Sequence, residues 1–167
     1  MTMETLKGRV LVIGSGSDLV GRRLGKKIDS GFWQTVIRVN KFYGGQLEAG
    51  SRMDVLVTRY ASWVQRFFPG PTLGCPKVFL NEHVGWSQEE HIAALNEVQH
   101  PAVSAGLCAC MWALNRGARA VDVIGFGYHP VTGWAPNKRY PDGTVDQNPH
   151  YNWAAENRWL ENNVTLI

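Results

Sequence analysis

Apolar residues fall into two rhythms along the chain. RVLVIG at Arg9 to Gly14 is a short, nearly unbroken apolar run rich in β-branched residues that stops at a glycine, the pattern of a strand buried on both faces, and so of a parallel sheet. TVIRVN (Thr35 to Asn40), MDVLVTR (Met53 to Arg59), KVFLN (Lys77 to Asn81) and AVDVIGFG (Ala120 to Gly127) repeat it. Between and after them the period lengthens. Over Ser87 to Gln99 the stretch SQEE reads as a capping box at Ser87 and Glu90, and Ile92, Leu95 and Val98 recur at helical spacing. A second helix is expected over Ala102 to Arg116, with the face LCACMWAL and Gly117 as its C-terminal cap, and a third over Asn152 to Asn162. Strands separated by helices predict an α/β fold: a single Rossmann-like, doubly wound, mostly parallel sheet with helices on both faces. Ligands of such sheets sit beyond the carboxyl ends of the strands, which directs attention to the loops after Ile13, Val39 and Ile124. Tyr128 to Pro149 is the longest stretch without a periodic signal, long enough to be functional.

Composition narrows this picture. A chain of 167 residues and 18.6 kDa fits one domain spanning 1–167. With 44% hydrophobic and 19% charged residues it is globular, and a net charge of +3 suits an anionic ligand while falling short of a nucleic-acid binder. There is no 18-residue apolar run, and the opening MTMETLKGR has no apolar signal-peptide core, so a cytoplasmic protein without a membrane span is expected. Cys75, Cys108 and Cys110 have no metal-binding spacing and read as reduced core residues.

The turn GSGSDL, Gly14 to Leu19, is the first candidate for chemistry. Its glycines allow close backbone approach, and a following helix would aim amide groups at an anion. The dinucleotide pattern G-x-G-x-x-G would need glycine at Leu19, and the second strand ends in Asn40 instead of an acid. Both departures count against a short nicotinamide-dependent oxidoreductase. By itself the turn is equally a structural one.

Several segments in order sharpen the reading. GSGSDL, IRVN (Ile37 to Asn40), AGSRMDV (Ala49 to Val55) and VSAGLCACMWALNRGARAVDVIGFG (Val103 to Gly127) resemble the sialylmotifs of the CMP-sialic-acid-dependent sialyltransferases, animal and bacterial. The resemblance covers roughly two thirds of the chain. HYNWAAE at His150 to Glu156 approximates the family's histidine, four residues, glutamate element, one residue too long. The resemblance implies a sialyltransferase-like variant of the GT-A fold and a CMP-sugar donor. It implies that Gly14, Ser15, Gly16 and Ser17 hold the nucleotide, Ser15 standing where the family has asparagine. Asn40 would contact the nucleotide, and Ser104, Ala105 and Gly106 would offer amides from a helix start, Ala105 replacing one family hydroxyl. Gly125 and Gly127 would lie beneath the cytidine, and Tyr128, His129 or Tyr140 would donate to the departing phosphate. These enzymes use such donors in place of a divalent ion, so neither metal nor cofactor is expected.

Transfer from a CMP-sugar needs donors at the leaving phosphate and a base at the acceptor hydroxyl. His150 is the candidate base, since a neutral imidazole is available near pH 7, with Glu156 orienting or polarising the site and His129 the next candidate. Tyr151, not His150, stands at the family's spacing to Glu156. The expected partners are a CMP-sugar donor and a hydroxyl acceptor that the sequence does not identify. The alternatives are a noncatalytic nucleotide-binding module and a CMP-sugar hydrolase. His83 and His91 read as solvated, the basic run RRLGKK as an exposed helix face, and Trp153 and Trp159 as packing. The tryptophans as a set suit a sugar site or an interface between copies of the chain.

Overall fold

The computed structural model describes residues 5–41, 46–67, 74–135 and 151–167. In chain order they form β1 (Arg9–Ile13), a 3-10 turn (Ser17–Leu19), α1 (Gly25–Asp29), β2 (Thr35–Val39), α2 (Gln46–Ala49), β3 (Val55–Thr58), α3 (Ala61–Phe67) and β4 (Lys77–Phe79). A second 3-10 turn (Leu80–Glu82), α4 (Gln88–Val98), α5 (Ala105–Asn115), β5 (Ala120–Ile124), β6 (Tyr128–His129), β7 (Gly133–Trp134), α6 (Trp153–Asn163) and β8 (Thr165–Leu166) follow. Six strands make one sheet in the order β4-β3-β2-β1-β5-β8, every neighbouring pair parallel. The expected Rossmann-like α/β sheet is therefore present. The two-residue strand β8 was not expected, because two residues carry no period; it pairs Thr165 with Asp122 at the sheet edge. β6 and β7 form a separate antiparallel hairpin at the head of the long aperiodic stretch. Among the described residues no helix is long and apolar enough to cross a membrane.

The apolar runs divide between two faces. Val10, Val12, Ile37, Val39, Val55 and Val57 pack with α4, α5 and Leu160 of α6. Leu11, Ile13, Val36 and Ile124 pack on the other side with Leu19, Ile28, Trp33 and Ala49. Alternation along each strand places Arg38 and Asp122 on this second face, both buried. The Arg38 guanidinium donates to the carbonyls of Ala49, Gly50 and Arg52; burial pulls its pKa down to about 10, offset in part by Asp29, so it stays protonated at neutral pH. Asp122 accepts from Arg9 Nε at 2.5 Å and Nη2 at 3.0 Å and from Trp33 Nε1 at 2.5 Å. Removing this carboxylate leaves a buried indole N–H unpaired while Arg9 can still turn to water. Asp122→Ala is accordingly expected to lower the unfolding free energy by about 2–3 kcal/mol in urea titrations. A change below about 0.5 kcal/mol would mean that the triad contributes nothing net.

Two helices differ in detail from expectation. The capping box of α4 is present, with Ser87 Oγ accepting from Glu90 N and Glu90 Oε2 accepting from Ser87 N. Its buried face is Ala94 and Val98 with Leu95 beside them, while Ile92 is exposed. α5 begins at Ala105 and not Ala102, because Ser104 is extended and caps the helix through Leu107 N. Every residue from Leu107 to Ala113 is buried, so Cys108 and Cys110 both lie in the core though they point apart. Burial pushes the Cys108 thiol up to about 12 and that of Cys110 well above its ordinary value, which keeps both neutral.

Candidate functional site

The chain runs outward from β1 to β4 and then returns to place β5 on the other side of β1. The loops leaving β1 and β5 therefore diverge at a topological switch point, the usual place for a ligand crevice in an open α/β sheet.

At this point GSGSDL makes a joint. Gly14 N donates to Ile124 O at 2.8 Å and Gly16 N to Gly125 O at 2.7 Å. A Cβ on Gly14 would collide with Gly125 O, and one on Gly16 with Asp18 Oδ1 and Gly125 O. Gly125 and Gly127 have φ of +79° and +84°, the left-handed region that favours glycine. Asp18 clamps this second turn: its two carboxylate oxygens accept from Gly125 N and Gly127 N, each at 2.8 Å. No α-helix follows the turn directly. The chain makes the short 3-10 turn and enters α1 only at Gly25, so the expectation of a helix aiming its first amides from GSGSDL is corrected. The glycines serve close backbone packing between two strand ends. Ser15 is buried and Ser17 half-buried within the joint.

The start of α5 docks against it. A Cβ on Gly106 would lie 2.6 Å from the Phe126 ring, so α5 packs this closely on Phe126 only because residue 106 has no side chain. Ser104 N donates to Glu156 Oε1 at 2.7 Å and Ser104 Oγ to Oε2 at 2.5 Å; Ala105 and Glu156 are both buried. Glu156 thus ties the first turn of α6 to the cap of α5. One strand further out, Asn40 takes a left-handed φ of 55° and donates its N–H to Val57 O. Its Oδ1 and the hydroxyl of Thr58, at adjacent strand ends, are buried polar atoms without a hydrogen-bond partner among the described residues. Arg59 follows Thr58 and donates from Nη2 to Val103 O at 2.6 Å and to the Tyr151 hydroxyl at 2.7 Å.

Tyr128 and His129 sit in the hairpin directly after Gly127. Tyr128 is edge-on to Trp134 at 5.1 Å, Trp134 Nε1 donates to Glu161 at 2.7 Å, and exposed His129 accepts from Val131 N through Nδ1. His150 and Tyr140 lie outside the described residues. The rest of the anticipated set gathers at the carboxyl edge of β1, β2 and β5. Asp18, Thr58 and Arg59 belong to the same edge and were not anticipated. His83 is exposed as expected, but His91 is half-buried, accepts from Trp86 Nε1 and lies 5.9 Å from the His83 ring. Burial, the His83 charge and the Arg59 charge lower its pKa. Among the described residues no group of three or more His, Cys, Asp or Glu could hold a metal ion. A depression at the opposite pole, lined in part by Leu6, Gln34 and Arg119, includes none of the anticipated residues.

No family model matches this chain, and no curated protein matches it in sequence. Solved structures do match in shape. A mammalian sialyltransferase in complex with Gal-beta-1-3GalNAc-ortho-nitrophenol superposes with a TM-score of 0.57 at 15% identity, covering 95% of this chain and 68% of that one. A second mammalian sialyltransferase structure gives 0.51 at 13% identity with the same coverage. The chain has a sialyltransferase-like fold; at these identities the likeness is one of fold.

Proposed function

We propose that this chain is a sialyltransferase-like glycosyltransferase that moves a sugar from a CMP-activated donor to an acceptor hydroxyl by metal-independent inverting displacement. The observation that carries this reading is the meeting of the Gly14–Ser17 joint, Asn40, the start of α5 and the Gly125–Gly127 turn at one switch point, in a fold like that of sialyltransferases. The cytidine lies over the glycine turns, whose amides the Asp18 carboxylate holds in place, and Asn40 reaches its polar groups. Amides of Ala105 and Gly106 at the head of the 11-residue α5 face the phosphate. In the transfer step the acceptor oxygen bonds to the anomeric carbon as its proton passes to His150. The bond from that carbon to the phosphate oxygen breaks, and CMP departs with the electron pair. Tyr128, His129 or Tyr140 donates to the developing phosphate charge.

Calorimetry tests the donor assignment. CMP is expected to bind with the same affinity with and without EDTA, more tightly than CDP, UDP or NAD. Absence of CMP binding, or tighter binding of NAD, would remove the cytidine reading.

A further inference from the structure

Three arginines meet a carboxylate at ion-pair distance among the described residues. Arg9 pairs with Asp122 at 2.5 Å, Arg52 with Asp54 at 2.8 Å and Arg116 with Glu90 at 2.6 Å. Arg59 is half-buried, yet among the described residues its guanidinium makes no ion pair. Its hydrogen bonds go to neutral groups: Val103 O, the Tyr151 hydroxyl and, at 3.4 Å, Asn81 Oδ1. Partly buried cations are usually met by a carboxylate, because neutral acceptors do not offset the lost hydration of the charge. The nearby carboxylate of Glu156 is engaged by Ser104.

Position makes a cation without a carboxylate partner among the described residues useful. Arg59 follows the last residue of β3, beside the orphaned Thr58 hydroxyl, and grips the carbonyl that precedes the α5 cap. β3 lies two strands from β1, about 10 Å at ordinary strand spacing, so a nucleotide seated on the β1–β5 joint could extend over β2 toward this guanidinium.

We propose that Arg59 binds an anionic oxygen group of the donor. This rests on the CMP-sugar reading above and adds to it a charge-recognising residue on the β3 side. Two donor groups have the required chemistry, the phosphate and a carboxylate on the transferred sugar, and a planar guanidinium suits either.

Calorimetry of wild type, Arg59→Gln, Arg59→Lys and Tyr151→Phe with CMP and with a CMP-linked sialic acid, each at low and high salt, decides the matter. Arg59→Gln keeps a donor but removes the charge, and is expected to weaken binding tenfold or more and to flatten the salt dependence, by about the scale of one charged contact. Arg59→Lys is expected to lose about fivefold, as bidentate geometry goes but charge stays. Tyr151→Phe, which removes the phenol contact and leaves the cation, should bind as wild type. If CMP and the CMP-linked sugar weaken equally, the phosphate is the partner; if only the sugar conjugate weakens, it is the carboxylate. A folded Arg59→Gln variant with wild-type affinity and salt dependence for both ligands overturns the role of Arg59 alone. Should that variant not fold, unchanged affinity in Arg59→Lys overturns it instead. A wild type that binds neither ligand removes the CMP-sugar reading and this inference together.

Discussion

Gly14→Ala is expected to destabilise the protein by about 3 kcal/mol and to abolish CMP binding. The new Cβ would meet the carbonyl oxygen of Gly125 and press on the Phe126 ring. A side chain could rotate away, but the first obstacle is backbone, so β1 and β5 must part at their carboxyl ends. That movement breaks the bonds from Gly14 N to Ile124 O and from Gly16 N to Gly125 O. Gly74→Ala is the matched control, because a Cβ there meets nothing within 4 Å and the backbone φ is ordinary. It should change stability by less than about 0.5 kcal/mol and leave binding intact. The measurement is chemical denaturation with CMP calorimetry on the same samples. Equal stability of the two variants would show that the joint is looser than its geometry implies.

His150→Ala should lower turnover of a CMP-sugar by about a hundredfold while leaving CMP affinity nearly unchanged, since a base on the acceptor side acts on the proton and not on the nucleotide. Tyr151→Phe supplies the comparison of register. Tyr151 has the family's spacing to Glu156, but its hydroxyl accepts from Arg59, which gives it a structural tie. Loss of turnover in Tyr151→Phe with full activity in His150→Ala would move the base by one residue. If neither change matters in an active wild type, His129 in the hairpin after Gly127 is the next residue to replace.

What could be read from the sequence followed from the range of its patterns. RVLVI, TVIRV and AVDVI announce strands buried on both faces, and the parallel sheet follows from that. Which face each residue takes was hidden because both faces are apolar. Arg38 and Asp122 interrupt their runs on the same side, and they were the available marker. The α4 cap was legible because Ser87 and Glu90 are close in sequence; the exposure of Ile92 was not, since it depends on where α5 and α6 lie. Asp18, Thr58 and Arg59 escaped notice for a related reason. Each acts on a partner that the fold brings from elsewhere, and Asp18 meets Gly125 across 107 positions. The glycine turn was found, but its work in packing one strand end on another appears only once β5 lies beside β1.

That adjacency has a kinetic consequence. Arg9 and Asp122, bonded across the middle of the sheet, are 113 residues apart, whereas Val10 pairs with Thr35 within the first quarter of the chain. Closing so long a loop costs more entropy than the successive β1-to-β4 crossovers, which places docking of β5 late in folding. Contacts formed after the rate-limiting barrier govern how fast the native state opens more than how fast it is reached. Weakening the Gly14–Gly125 joint should then accelerate unfolding and barely slow refolding, and a nucleotide seated there would act chiefly as a brake on opening.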